Sequence, residues 1–207
     1  MKFILLVLAL VAVISVPAQK HFRLDHASKS VDVDLDVGKC DADRSICGPV
    51  TVSFLRKGDA KPFQLIRLAQ TQMWDPEPQA NVTNRYDDQS VVNFGDFNFD
   101  GTEDVAICDG NNGGYGMPSY RVYIYSKPLK RFVYSRSFTR MNSGGLGMFE
   151  VDQKKKMLMV YTKSGCCWHQ TGGLMSTAET PEGCMNLPRT PQASRNPIAS
   201  CLRPESS

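Results

Sequence analysis

The chain has 207 residues, a formal net charge of +3, and charged residues of both signs mixed along its length. This length is sufficient for one domain with its own hydrophobic core. The weak charge, with both signs mixed along the sequence, does not resemble the basic pattern of a nucleic-acid-binding protein.

Residues 1–18, MKFILLVLALVAVISVPA, follow the three-part pattern of a secretory signal peptide. Lys2 precedes an apolar run from Phe3 to Val16, and the small residues at its end favour cleavage after residue 18. The run is shorter than the roughly 20 apolar residues that a bilayer span needs, and no later segment is a candidate span. We therefore expect a periplasmic or secreted protein without stable membrane insertion.

Seven cysteines in an exported chain indicate disulfide bonds, with one cysteine left over. Cys40 and Cys47 enclose a short polar loop that could close locally. Cys166 and Cys167 are adjacent, so each could pair elsewhere or with its neighbour. The connectivity is left open, because spacing alone does not decide it.

Residues 19–39 form a polar leader that contains the segment SVDVDLDVGK. Its valines and leucine alternate with aspartates. This alternation is consistent with an edge strand and with a solvated leader.

From Gly48 onward, short runs rich in β-branched and aromatic residues alternate with turn-forming residues, which predicts strands. No segment in this region has the period or length of an amphipathic helix. The predicted strands are 50–55, 63–69, 89–94, 103–108, 119–126, 131–138, 146–152 and 156–163. Close spacing of short strands predicts a mainly all-β fold, a single antiparallel β-sandwich or meander domain over residues 40–171.

The last 36 residues, 172–207, differ in composition from the domain, because they hold five of the chain's 12 prolines and no aromatic residue. Such a segment buries too little apolar surface to offset its ordering entropy. We expect a disordered C-terminal tail.

The segment DFNFDGTED places oxygen-bearing groups at alternate positions around a glycine, with the spacing of the front half of an EF-hand-type calcium loop. The predicted Ca²⁺ ligands are Asp96, Asn98, Asp100, the carbonyl of Thr102, and Asp104. Ile107 occupies the position of the usual bidentate glutamate, and strand-like sequences flank the loop. The alternative is an Asx-rich turn with solvated carboxylates.

The segment DGNNGGYGMPSY, 109–120, predicts a tight protruding loop, because its Asn-Gly and Gly-Gly steps allow positive φ angles. Tyr115 lies at the glycine-flanked tip. An exposed aromatic residue on a preformed loop is typical of binding hot spots. The alternative is a long hairpin whose tyrosine packs on a neighbouring strand.

Cys167 and His169 lie two residues apart, so on a strand their side chains would share a face. A thiol–imidazole nucleophile is conceivable, but the oxidising compartment and the neighbouring Cys166 favour disulfide formation. Paired carboxylates for hydrolysis need an apolar pocket around one partner, and here the acids share a polar loop. We predict a protein without enzymatic activity.

The sequence GDFNFDGTEDVAI resembles the core of an FG-GAP repeat, the calcium-binding segment of integrin-type propellers, although one copy cannot build a propeller. The ordered set CGPVTV, NFGDFNFDGTEDVAICDGNNGGYGMPSYRVYIY, RFVYSRSFTRM and LGMFEVDQKKKMLMVYTKSGCCWHQT is similar to a family of bacterial periplasmic proteins. That family has one such calcium loop in a β-rich domain and is similar to periplasmic inhibitors of invertebrate-type lysozyme. Some members are immunity proteins that block peptidoglycan-cleaving effectors delivered by type IV secretion.

The resemblance covers roughly residues 47–171 and implies a cofactor, a partner and two sites. It implies calcium ligation by Asp96, Asn98, Asp100 and Asp104. It also implies that the loop around Tyr115 faces a lysozyme-like glycoside hydrolase. The partner-binding residues carried over are Asn112, Tyr115, Ser119 and Tyr120.

The chain departs from the family pattern at two places. Cys108 stands where a polar residue is expected, which accounts for an odd cysteine. After Thr171 the family continues with another pair of strands, whereas this chain loses its aromatic residues and valines. We hypothesise that a shift of reading frame replaced those strands.

Two functions from different classes follow. The first is a periplasmic calcium-binding inhibitor that inserts a loop into the cleft of a lysozyme-like enzyme. The second is a calcium-stabilised adhesion or surface-binding domain without inhibitory activity. A third function, an exported hydrolase using Cys167 and His169, ranks below both.

Overall fold

The computed structural model describes residues 19–41, 43, 45–74, 76–83, 89–165 and 167–174, and for 164 and 167–174 it describes the backbone alone. The predicted signal peptide and the predicted tail beyond residue 174 lie outside the described residues. The elements are β1 (Lys20–Leu24), β2 (Val31–Val37), β3 (Ile46–Cys47), β4 (Val50–Arg56), β5 (Gln64–Leu68), β6 (Thr71–Gln72), β7 (Val92–Gly95), β8 (Asp104–Gly110), β9 (Ser119–Ser126), β10 (Arg131–Tyr134), α1 (Arg136–Asn142), β11 (Glu150–Asp152), β12 (Met157–Ser164) and β13 (Cys167–Leu174).

The prediction of a mainly all-β, antiparallel fold is confirmed, since the ladders between these strands are all antiparallel. The first sheet has the order β1-β2-β4-β5 and the second β10-β9-β8-β7. The third sheet is β11-β12-β13, and β3 pairs with β6. The arrangement is a β-sandwich with a further layer.

The aspartate-rich leader is part of the first sheet. β2 lies between β1 and β4, so it is an interior strand and neither an edge strand nor a solvated segment. Val33, Leu35 and Val37 on its inner face are fully buried. Residues 20–37 therefore belong to the domain, whose predicted start was residue 40.

The aspartates of β2 lie on the outer face of the first sheet, where cations from neighbouring segments neutralise them. Lys57 Nζ lies 2.7 Å from Asp32 Oδ1, and Arg23 on β1 lies 3.0 Å from Asp34 and 3.2 Å from Asp32. The hydrogen bond from Lys57 is the largest cause that holds the pKa of Asp32 below its usual value. The alternation of valine and aspartate therefore separates a buried face from an ion-paired face.

The second sheet is covered on both faces, as the alternation along β8 shows. Val105 and Ile107 pack with the first sheet in one apolar cluster. Ala106 and Cys108 point the other way and pack with α1, Phe149 and the third sheet in a second cluster. A strand buried on both faces reads as a continuous apolar run, which is the pattern of this segment.

One predicted strand, 131–138, is wrong in its second half. β10 ends at Tyr134 and the chain turns into α1, whose Phe138 is buried in the second cluster. The turn still satisfies the edge of β9, because Ser135 N donates to Val122 O at 2.8 Å and Thr139 Oγ1 accepts from Val122 N at 3.0 Å. A two-turn helix is too short to give a periodic signal.

The outer edge of β10 is bridged to the first sheet by one side-chain amide. Gln64 Nε2 donates to Phe132 O, and Gln64 Oε1 accepts from Phe132 N, both at 2.8 Å. The amide reproduces the pair of bonds that a neighbouring strand would make.

A disulfide joins Cys40 and Cys47, the local pair considered from the sequence. Such a bond is typical of proteins that fold in an oxidising compartment. β13 continues to Leu174, past the predicted end of the domain at Thr171. Within the described part of the chain, no helix has the length and apolarity needed to cross a membrane.

Candidate functional site

The acidic loop, defined as residues 96–103, connects β7 to β8. Its two aromatic side chains anchor it, because Phe97 and Phe99 are buried in the second cluster and Phe97 meets Phe149 edge-on at 5.1 Å. Phe99 and Gly101 both have positive φ angles, +58° and +82°, which close the turn. The aromatic anchors leave the polar side chains between them on the solvent side.

The polar side chains of the acidic loop converge on its own amide groups. Asp96 Oδ1 and Asn98 Oδ1 both accept from Asp100 N, at 2.9 and 3.1 Å. Asp96 Oδ2 accepts from Gly101 N, and Asp100 Oδ1 accepts from Thr102 N. Oxygens that share one N–H donor lie close together, so the loop brings the oxygens of Asp96 and Asn98 to one place. Asn98 Nδ2 also donates to Asp100 Oδ2 at 3.2 Å, which places the third predicted ligand beside them.

Asp104 differs from the other predicted ligands in its burial and in its hydrogen-bond partners. It is fully buried at the start of β8, where Oδ2 accepts from Phe97 N at 2.9 Å and Oδ1 from Tyr125 N at 2.8 Å. Burial raises the pKa of its carboxyl to about 7, although the amide hydrogen bonds from Tyr125 and Phe97 oppose that shift. Its carboxylate ties the loop to β9, and calcium ligation by Asp104 stays a prediction.

The donor set of the loop suits a hard cation. Among the described residues, no group of three or more His, Cys, Asp and Glu side chains is arranged to hold a metal ion. The loop instead offers a mixture of two carboxylates, one amide oxygen and one main-chain carbonyl, from Asp96, Asp100, Asn98 and Thr102. Oxygen donors of these mixed kinds are the ones that Ca²⁺ takes in proteins, so the residues fit the predicted ion.

The tyrosine loop, defined as residues 111–118, leaves the opposite end of β8. It rests on the glycine loop, residues 143–147, through main chain: Gly114 N donates to Gly145 O at 2.8 Å. A Cβ on Gly113 would lie 2.9 Å from Gly145 O, and one on Gly114 would lie 2.6 Å from Gly144 O. Gly113 and Gly114 are therefore required for this close approach.

Tyr115 protrudes from the tyrosine loop with 67% of its surface exposed, as its position in the sequence predicted. Its φ of +58° is one that glycine favours. Its hydroxyl accepts a hydrogen bond from Gly165 N at 3.2 Å, and Lys163 Nζ lies 5.7 Å from the ring centroid. The exposed ring is thus fixed by the turn between β12 and β13.

The other predicted partner-binding residues differ in exposure. Asn112 is exposed, and its N–H donates to Ser119 Oγ at 3.3 Å. Ser119 is half-buried and donates to Asp109. The prediction that Tyr120 binds a partner is wrong. Tyr120 is 3% exposed, and its hydroxyl donates to Ser90 O at 2.8 Å. Because β9 alternates, Tyr120 points into the second cluster, where a partner cannot touch it.

The contribution of the glycine loop was not predicted from the sequence. Buried Gln89 fixes it, because Gln89 Oε1 accepts from Met148 N at 3.0 Å and Nε2 donates to Leu146 O at 3.2 Å. Because residues 146–148 are held by Gln89, the strand is shorter than the predicted 146–152 and consists of β11 alone. The run SGGLG was the available signal, since adjacent glycines permit backbone-to-backbone contact.

Of the cysteines outside the disulfide, Cys108 is described, and it is free and buried. Burial raises the pKa of its thiol, which makes it unreactive. Cys166 and the side chains of Cys167 and His169 lie outside the described residues, so the thiol–imidazole hypothesis stays untested.

The acidic loop and the tyrosine loop lie at opposite ends of β8. The strand is seven residues long. At about 3.3 Å per residue, its ends are about 20 Å apart.

Comparison with known proteins shows a similarity of fold and nothing more specific. No family model matches the sequence, and no curated protein matches it either. Among solved structures, the chain is similar to one described as "Structure of a Xanthomonas Type IV Secretion System related protein". The TM-score is 0.60 with 22% identity, over 80% of this chain and 84% of that chain. The two proteins share a fold.

Proposed function

We propose that the protein is a periplasmic calcium-binding inhibitor of a lysozyme-like peptidoglycan hydrolase, with Tyr115 entering the enzyme's cleft. The observation that carries the proposal is the exposure of Tyr115 on a loop held by main-chain contacts. An aromatic side chain that is already ordered loses little entropy on binding, which is a property of strong anchors. The solved structure related to type IV secretion and the family resemblance support the same reading.

The hydroxyl of Tyr115 has the chemistry to meet a glycosidase cleft. Such clefts carry a pair of carboxyl groups that flank the scissile bond. The phenolic oxygen of Tyr115 accepts from Gly165 N, so its own proton remains available for donation. A hydrogen bond from this hydroxyl to a catalytic carboxylate would occupy the site that the substrate needs.

Inhibition of peptidoglycan hydrolysis tests the role of Tyr115. For Tyr115→Ala we expect the loss of about 2 kcal/mol or more of binding free energy, roughly a 30-fold weaker inhibition constant, against a panel of lysozyme-like enzymes. Tyr134→Ala is the matched control, because Tyr134 is 49% exposed on β10. If both variants inhibited like the parent protein, Tyr115 would not be the anchor.

Calcium would be held by Asp96, Asn98, Asp100 and the carbonyl of Thr102, where its charge offsets the repulsion between carboxylates. We expect calcium to raise the melting temperature of chelator-stripped protein. A hundredfold excess over Kd adds about 2.7 kcal/mol of stability.

The double variant Asp96→Asn/Asp100→Asn should lose the calcium response, and the exposed Asp59→Asn should keep it. Identical melting curves in calcium and chelator for the parent protein would refute the site.

The adhesion alternative makes a different prediction. A surface-binding domain should sediment with purified peptidoglycan in the absence of any enzyme, and an inhibitor should not. Sedimentation that Tyr115→Ala abolishes, without inhibition of any lysozyme-like enzyme, would favour the alternative.

A further inference from the structure

Two hairpin turns flank the acidic loop, and both are rich in lysine. The turn between β9 and β10 reads KPLK, residues 127–130, and the turn between β11 and β12 reads QKKK, residues 153–156. Each touches the main chain of the acidic loop: Lys127 Nζ lies 3.3 Å from Asp100 O, and Gln153 Nε2 lies 3.0 Å from Asp96 O. The two turns and the loop therefore form one end of the protein.

We call this surface the basic end, and it is defined by six exposed side chains: Lys127, Lys130, Arg131, Lys154, Lys155 and Lys156. The nearby carboxylates are those of Asp96, Asp100, Glu103 and Asp152. Asp152 is paired with Lys155 at 3.4 Å, and Asp100 faces Lys127 at 3.9 Å. The six cations exceed these four carboxylates by two charges, and a calcium ion in the loop would increase the excess.

An apolar side chain projects from the middle of these charges. Leu129 is 57% exposed, and basic residues follow it directly in the chain. An exposed leucine between lysines gains nothing from a hydrated polyanion. It gains free energy where an apolar phase lies behind a layer of negative charge.

The backbone of both turns carries lysine where glycine would be the less strained residue. Lys130 and Lys156 each have a φ of +51°, in the left-handed region. A glycine would relieve the strain at either position. In both turns, a charged residue thus occupies a position at which glycine would be less strained.

We propose that the basic end docks on an anionic lipid bilayer, with the lysines at the phosphate groups and Leu129 inserted beneath them. Each lysine near an anionic surface strengthens binding roughly fivefold, so several together give a measurable peripheral association. The lysines carry this attraction with or without calcium. Since the tyrosine loop lies at the other end of β8, docking in this way would turn Tyr115 away from the membrane.

Vesicle sedimentation of the mature protein tests the proposal, with chelator present throughout so that the result does not depend on the calcium site. We expect binding to phosphatidylcholine vesicles that contain phosphatidylglycerol, no binding to pure phosphatidylcholine, and weaker binding at high ionic strength. Lys154→Gln/Lys156→Gln should weaken binding on the order of 20-fold. The control pair Lys39→Gln/Arg67→Gln removes the same charge from exposed residues of the first sheet and its flanks, and it should change binding less than twofold.

A second matched pair of variants tests the contact of Leu129 with the bilayer. Leu129→Ser should weaken vesicle binding severalfold, whereas Leu65→Ser, at a 53% exposed leucine on the outer face of the first sheet, should not. Equal binding to charged and neutral vesicles, or equal losses in both lysine pairs, would overturn the proposal. Binding that is insensitive to Leu129→Ser would overturn it in favour of a soluble polyanion.

Discussion

Asp100 and Asp104 lie four residues apart in the sequence, yet their carboxylates have opposite surroundings. Asp100 is exposed and bonds the turn of the acidic loop, whereas Asp104 is fully buried between the amides of Phe97 and Tyr125. Sequence spacing predicted both as equivalent oxygen donors. Spacing could not separate them, because the strand that supplies Tyr125 lies 21 residues further along the chain.

Asp104→Asn should destabilise the protein by about 1–3 kcal/mol, because an amide offers one acceptor oxygen and turns a donor towards a buried N–H. Urea unfolding in chelator measures the change without any contribution from calcium. The exposed Asp59→Asn is the control and should leave the free energy of unfolding unchanged. A midpoint for Asp104→Asn equal to that of the parent would contradict the tie between the loop and β9.

At the scale of the element, the strands that could be predicted are those whose signal is local. β4, β5, β8, β9 and β12 follow runs of β-branched and aromatic residues that need no partner to be recognised. β2 was ambiguous, because its aspartates are compatible with a sheet only when Arg23 and Lys57 are in place across it. The first three residues of α1 were predicted as the end of a strand and the others as no element, since two turns of helix leave no periodic trace.

The two loops at the predicted partner site also differ in whether their signal is local. The protrusion of Tyr115 could be predicted from its flanking glycines, which supply local freedom. The glycine loop beneath it could not, because that contact joins segments about 30 residues apart, such as Gly114 and Gly145. The burial of Tyr120 depended on the alternation of β9 relative to the third sheet.

Gly114→Ala should loosen the tyrosine loop, because the added Cβ would lie 2.6 Å from Gly144 O. We expect the Gly165 amide, which donates to the hydroxyl of Tyr115, to exchange its hydrogen at least tenfold faster by NMR. Gly58→Ala is the control: nothing lies within 4 Å of the new methyl group, and its φ of +86° strains a turn far from the tyrosine loop, so only global stability should change. Unaltered protection of Gly165 in Gly114→Ala would show that the loops do not depend on each other.

At the scale of the whole molecule, the N-terminal strands are a structural requirement. β2 buries three apolar side chains completely, at roughly 1.5–3 kcal/mol each. That sum is comparable with the 5–15 kcal/mol that typically separates folded from unfolded domains. The first sheet also buries one of the two faces of the second sheet.

A chain that starts at Lys39 should therefore fail to fold, although the family resemblance begins only at Cys47. The measurement is near-ultraviolet circular dichroism with thermal unfolding, beside a chain that starts at Gln19. A cooperative transition in the shorter chain would show that β1 and β2 are dispensable.

The side-chain amide of Gln64 has a consequence for self-association. An exposed strand with unpaired N–H and C=O groups is a template on which another copy of the chain can add. At Phe132, on the outer edge of β10, both groups are already occupied by Gln64. One glutamine thus occupies the position on this edge at which a strand from another copy would otherwise pair.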